Sequence, residues 1–279
     1  MKSKYFILII FAIISFRCIH HSISDVPNHK TIRIKGSDSM LLLAQRMSEE
    51  FMKLHGDVSI YVDGGGSGSG IQALLDGTID MCTSSRPMSS AEIRQLSSRY
   101  GSIGISILCA KDALGIIVHP SNTLSNISFT DITKIFTGKI NNWKEIGGTD
   151  RPIAVYSREP NSGTYVYLDE HVLLGEKYLD RCIMVPGARA LIDAVLRDSS
   201  AIGYSTNVYA GNVKILSVNG IPATPENIRN GSYPISRYLY LYTVQNPEGA
   251  KKEFVDWIIG KEGQKIIKAN GYIPLYDSE

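Results

Sequence analysis

The chain has 279 residues, 43% hydrophobic and 20% charged, which is enough apolar material for one large domain or two of ordinary size and too much for gross disorder. The formal charge of +2 includes Lys2, Lys4 and Arg17, with no acid before residue 18, so a chain beginning at Cys18 carries −1. That balance lacks the basic excess of a nucleic-acid binder, and no nucleic-acid partner is expected.

At the N-terminus, MKSK is a short cationic region and YFILIIFAIISF a run of twelve almost wholly apolar residues. A bilayer-spanning helix needs roughly 20 such residues, so residues 1–17 have the form of an export signal. Cys18 follows directly, in the place of the lipidated cysteine of a bacterial lipoprotein, although Ser15, Phe16 and Arg17 replace the usual leucine and small residues. The competing reading is an ordinary signal peptide with an incidental cysteine. Residues 18–30 are polar and mixed, a tether. The other cysteines, Cys82, Cys109 and Cys182, lack metal-ligand spacing, and the apolar settings of Cys82 and Cys109 favour buried thiols over a disulfide.

Order is expected from Thr31. TIRIK alternates like a half-buried strand, and the helical spacing that follows puts Met40, Leu43, Ala44, Met47 and Phe51 on one face, with Gly56 as the stop. VSIYVD reads as a strand, GGGSGSG (64–70) as a turn and IQALLDG as a short helix. Strand IDMCTS and helix SSAEIRQLSSRY follow, Ser89 and Glu92 having the spacing of a capping box. SIGISILCAKDALGIIVHP supplies two near-continuous apolar strands that run from one domain into another. Residues 121–238 hold a second set: a helix near TDITKIFTG, strand IAVYS, a helix from Ser162, a helix near ARALIDAVLRD and strand AIGYS. SRYLYLYTV is a strand packed on both faces, and 247–270 form one broken or two short amphipathic helices. The alternation indicates an α/β architecture of two lobes: 31–113 with 240–279, and 114–239.

Three segments at helix starts are rich in glycine and hydroxyls: GSDS (36–39), GGGSGSG and NSGT (161–164). Free N–H groups at a helix start, close approach over glycine and hydroxyl donors together make an oxyanion site. Taken singly, each turn is explained as well by an ordinary N-cap. Neither a P-loop lysine nor GxGxxG spacing is present, so a nucleotide site is not indicated. Three such turns and Arg158 in YSREPNSGTY favour a small tetrahedral oxyanion.

The motifs IKGSDSM, GGGSGSGI, DMCTSSRPMS, IFTGKINNWKEIGG, SREPNSGTY, AIGYS and NGYIPL, in this order from Thr31 to Leu275, resemble the phosphate-binding proteins of bacterial high-affinity phosphate ABC importers. The resemblance implies a two-lobed periplasmic-binding-protein fold of type II, with phosphate in the cleft, no catalysis, no metal and no cofactor. It implies phosphate contacts from Asp38, Ser39, Ser67, the Ser85 position, Arg158, Ser162, Gly163 and Thr164. Some members carry an aspartate at Ser85 that takes a hydrogen bond from the phosphate proton and pairs with the arginine. Here Asp38, where others have threonine, is the substitute, its competing role being an N-cap for the helix near Met40. Arg86 either adds positive potential to the site or serves a structural pair, the structural role being favoured. The implied partners are permease subunits and, through Cys18, a membrane anchor on the periplasmic or cell-surface side, and the chain is expected to be a monomer. The weighed alternatives are a sulfate or molybdate binder, an exported phosphatase and an adhesin on the same fold. The six scattered histidines and the absence of HxxxH, DxD or GxSxG count against a hydrolase.

Overall fold

The computed structural model describes residues 30–206 and 211–276. The export signal, Cys18 and the tether up to residue 29 lie outside the described residues. In chain order the elements are β1 (Lys30–Gly36), α1 (Leu41–Leu54), β2 (Val58–Asp63), α2 (Ser67–Leu75), β3 (Met81–Ser84), α3 (Ser90–Tyr100) and β4 (Ile105–Val118). There follow β5 (Asn126–Ile127), α4 (Phe129–Phe136), β6 (Ala154–Arg158), α5 (Gly163–Leu168), β7 (Ile183–Val185), α6 (Ala188–Arg197), β8 (Ala201–Thr206) and β9 (Lys214–Val218). The last elements are α7 (Pro225–Arg229), β10 (Ser236–Thr243), α8 (Ala250–Ile259) and α9 (Lys261–Ala269).

The sheet runs β2-β1-β3-β10-β4-β8-β6-β7, with β9 on β4 and β5 on β9. β1, β2 and β3 are parallel, and β6 is parallel to both β7 and β8, so both halves carry strand–helix units whose strand ends face the same region. β4 joins the halves: its residues from Ile105 to Ala113 pair antiparallel with β10, and Leu114–Val118 pair antiparallel with β8.

Two cores result. One packs Ile32, Ile34, Met40, Leu43, Met47 and Phe51 against Leu239, Leu241, Phe254 and Ile258. The other packs Leu114, Ile116, Val118, Ile132, Phe136, Trp143, Leu168, Tyr204 and Leu216. The apolar face expected of α1 is buried as read, and Ser89 with Glu92 forms both bonds of the capping box on α3. Cys82 and Cys109 are buried free thiols, and Cys182 is free and half-buried.

Two expectations need correction. The glycine run is not wholly a turn, because α2 begins at Ser67 and takes in Ser67–Gly70. Gly70 is there for close packing: a Cβ on it would lie 2.5 Å from Gly36 Cα and 2.6 Å from the Lys35 carbonyl oxygen. The apolar stretch before His119 is one strand of 14 residues, not two. The polar pair Lys111-Asp112 inside it continues the ladder, with Asp112 directly opposite Arg237 on β10.

Candidate functional site

The site grows from the ends of parallel strands, where open α/β sheets place their ligands. The turn after β1 presents Ser37, Asp38 and Ser39, the start of α2 presents Ser67, and the end of β3 leads into Ser85. Four serine side chains form one buried group, each no more than 2% exposed. Ser37 Oγ lies 2.8 Å from Ser39 Oγ and donates to Ser85 Oγ at 3.0 Å. Ser67 Oγ lies 3.3 Å from Ser85 Oγ and accepts the Ser85 N–H at 3.1 Å.

The other half contributes the end of β6 and the start of α5. Arg158 closes β6 with its side chain 4% exposed, and its Nη2 donates to Asp38 Oδ2 at 2.6 Å. The second Asp38 oxygen accepts the Gly65 N–H at 2.7 Å. Asp38 therefore pairs with the arginine instead of capping α1, whose N-cap is Met40 with no side-chain bond. Burial is the largest influence on Arg158 and pushes it below the ordinary arginine value; Asp38 opposes this, while the charge of Arg237 pushes the same way. Tyr204 steadies the strand end, its hydroxyl accepting the Arg158 N–H at 3.2 Å and lying 2.6 Å from Ser157 Oγ.

Ser162 caps α5, its Oγ accepting the Thr164 N–H at 3.2 Å. With six residues α5 carries little dipole, so side-chain donors dominate here. Gly163 faces the serine group across the cleft: a Cβ on it would lie 2.6 Å from Ser85 Oγ and closer still to Ser67 Oγ. The neighbouring backbone also bridges the halves, the Gly68 N–H donating to the Asn161 carbonyl at 2.9 Å and Asn161 Nδ2 to the Gly65 carbonyl at 3.0 Å.

All eight residues singled out from the sequence thus lie around one junction. Asp38 meets Arg158, Ser67 meets Ser85, and Gly163 abuts both serines. Ser39 and Thr164 meet through a residue not anticipated, Arg237, whose Nη2 lies 3.3 Å from Ser39 Oγ and 3.2 Å from Thr164 Oγ1. Among the described residues the Ser162 side chain bonds only within its own turn. Ser37 was also missed, being hidden beside two better-marked neighbours. The signal for Arg237 was available: in SRYLYLYT it shares the buried alternation with Leu239 and Leu241, a charge at a core position. Arg86 turns aside, as its structural reading expected, with its Nη atoms on the two Glu92 oxygens at 2.8 and 2.7 Å. Burial pushes the Glu92 carboxyl up, but the Arg86 and Ser89 bonds together outweigh it and hold it low.

Buried hydroxyls, two guanidiniums and N–H groups of Arg158 and Arg237 without a protein partner form a donor-rich set suited to an oxyanion. Residues 24–262 match the PBP superfamily domain. The phosphate-binding protein PstS of Bacillus subtilis is 31% identical over 251 residues, covering 88% of this chain and 81% of that protein. This chain belongs to the phosphate-binding proteins of the PBP superfamily. The PstS of Borreliella burgdorferi is 27% identical, covering 91% of this chain and 94% of its own length. Among solved structures, one from Clostridium perfringens, assigned as a phosphate ABC transporter substrate-binding protein and holding bound phosphate, matches with a TM-score of 0.82 at 31% identity. That match covers 88% of this chain and 100% of the other. An ABC-type phosphate transport receptor from Vibrio cholerae matches with a TM-score of 0.72 at 27% identity, over 87% of this chain and 99% of the receptor. As in those phosphate-binding proteins, the fold is the two-lobed α/β one.

Proposed function

We propose that this chain binds inorganic phosphate outside the cytoplasmic membrane and delivers it to the permease subunits of an ABC importer, without catalysing a reaction. The observation that carries this reading is the meeting of Arg158 from one half with Asp38 of the other, whose chain neighbours Ser37 and Ser39 belong to the group of buried serines. The phosphate-binding relatives support it. In this reading Ser39, Ser67, Ser85, Ser162, Gly163 and Thr164 give hydroxyls or backbone approach, Arg158 gives charge, and Asp38 accepts the phosphate proton. Sulfate and molybdate have no proton to offer Asp38 near neutral pH. A phosphatase needs an activated nucleophile, whereas the serines of the buried group bond to one another and to Arg237 instead of to a histidine or carboxylate base.

The halves act as hinged lobes, 31–113 with 240–279 and 114–239, and close on the ion. The protein works as a monomer, held at the membrane by lipid on Cys18. None of the described helices is long and apolar enough to cross a membrane. Intact mass of the membrane-extracted protein reads the anchor: a lipid-bearing Cys18 is expected, and an unmodified or different N-terminus contradicts it. Calorimetric titration of extensively dialysed protein tests the ligand. Saturable one-to-one phosphate binding is expected, with sulfate at least about 100-fold weaker. Failure to bind phosphate overturns the reading.

A further inference from the structure

Arg237 is nine-tenths buried and stands where the halves join. Its side chain and that of Asp112 are each 2% exposed, they face each other across β10 and β4, and Nη2 lies 3.1 Å from Asp112 Oδ2. The other Asp112 oxygen accepts from Thr206 Oγ1 at 2.5 Å, and burial, the largest influence, raises the Asp112 carboxyl against the pull of Arg237. A buried arginine with a carboxylate of its own usually spends its planar fork on both oxygens. Here one nitrogen alone is shared among Asp112, Ser39 and Thr164, and Nε and Nη1 are buried without a protein partner. Arg158 Nε is in the same condition, and the two like charges are close enough for Arg237 to oppose that of Arg158. Two guanidiniums repelling each other inside a protein, each with an unused donor, are accommodated by an anion between them.

We infer that Arg237 is a second guanidinium of the anion site, contacting the ligand directly, with Asp112 as the counter-ion that fixes its position. By donating to Ser39 and Thr164, Arg237 occupies acceptor lone pairs on one hydroxyl from each half; this leaves the Thr164 O–H to the ligand, while the Ser39 O–H is directed at Ser37 Oγ, whose own proton goes to Ser85. Arg158 and Arg237 against Asp38 and Asp112 make the site neutral overall, so the charge on the bound phosphate decides how much each guanidinium contributes. Removing Arg237 leaves one net negative charge, which disfavours the dianion more than the monoanion. The charged and titratable groups facing Arg237 are Asp112 on β4, Arg158 at the end of β6, and Tyr167 on α5, whose ring centre is 5.7 Å from the guanidinium carbon. His171 stacks on Tyr167 and lines the same cavity as Arg237.

The inference rests on the phosphate-binding reading, and the test separates the two. Phosphate affinity is measured for the wild type, Arg237→Gln, Arg237→Lys and the double variant Arg237→Gln/Asp112→Asn, at about pH 6 and about pH 8, on either side of the ion's second ionisation. Unfolding of each ligand-free protein is followed alongside. Arg237→Gln is expected to bind about tenfold to a hundredfold more weakly at the higher pH, with a smaller loss at the lower. Arg237→Lys, which keeps the charge, should retain the wild-type pH profile with reduced affinity. The double variant removes the buried pair as a unit and carries the test if the single variant does not fold. It is expected to stay at least about tenfold weaker than the wild type. Wild-type affinity in the double variant means that Arg237 only neutralises Asp112, and overturns the inference. An unchanged affinity and pH profile in Arg237→Gln does the same while leaving the phosphate reading intact. A wild type that binds no phosphate overturns both.

Discussion

Asp38 has two duties in this site that pull on the same two oxygens. It is the counter-ion of Arg158, whose side chain is 4% exposed, and in the proposed function it is the carboxylate that takes the proton of a bound phosphate. Sulfate, fully ionised near neutrality, offers no such proton and meets only repulsion from the carboxylate. Asp38→Asn removes that repulsion but also leaves Arg158 without its counter-ion. The expected outcome in parallel titrations is a phosphate-to-sulfate ratio reduced tenfold or more, chiefly by a gain in sulfate affinity. The ligand-free protein should lose about 1–3 kcal/mol in denaturant unfolding, as a charged hydrogen bond is weakened. Selectivity that survives intact would mean that another group reads the proton. The sequence marked Asp38 and Arg158 through the resemblance carried by GSDS and SREPNSGT, but it left open whether Asp38 takes the place of the family's site carboxylate or caps a helix. The contact that decides between them spans 120 residues of chain. Arg237 and Asp112 escaped for a related reason. Each looks like an isolated polar residue in an apolar strand, and only the pairing of β4 with β10 shows that they answer each other.

At the scale of elements, periodicity made α1, α3 and the two C-terminal helices readable, because an apolar stripe every three to four residues is a local property. The glycine run was misread because packing, not turn geometry, demands Gly70. Gly163 and Gly70 separate the two uses of glycine experimentally. A methyl on Gly70 meets Gly36 Cα and the Lys35 carbonyl inside one half, where backbone cannot yield. Gly70→Ala should therefore destabilise the fold by about 1–3 kcal/mol, seen as a lower midpoint of unfolding without ligand. A methyl on Gly163 instead meets Ser67 and Ser85 of the opposite half, and the helical start of α5 accepts alanine. Gly163→Ala should leave ligand-free unfolding unchanged and weaken phosphate binding about tenfold to a hundredfold by holding the halves apart. Wild-type affinity in Gly163→Ala would show that the functional approach of the halves is looser than the structure has it.

At the scale of the molecule, the two cores share one sheet, and β4 with β10 forms the strip on which they meet. Polar contacts across that junction include Arg158 to Asp38, Gly68 to Asn161, Asn161 to Gly65, and Arg237 to hydroxyls from both sides. In the proposed function, an ion touching both halves would bias closure by its differential affinity for the closed state. The central claim is that one phosphate ion is held there, with Arg158 as the charge supplied by the second half. Its most direct test is equilibrium dialysis of phosphate-stripped protein against labelled phosphate, wild type beside Arg158→Ala. The account predicts one saturable phosphate per wild-type chain and an affinity at least about tenfold to a hundredfold lower in the variant, as befits loss of a charged hydrogen bond in a buried site. No bound phosphate in the wild type, or equal binding by the variant, would contradict it.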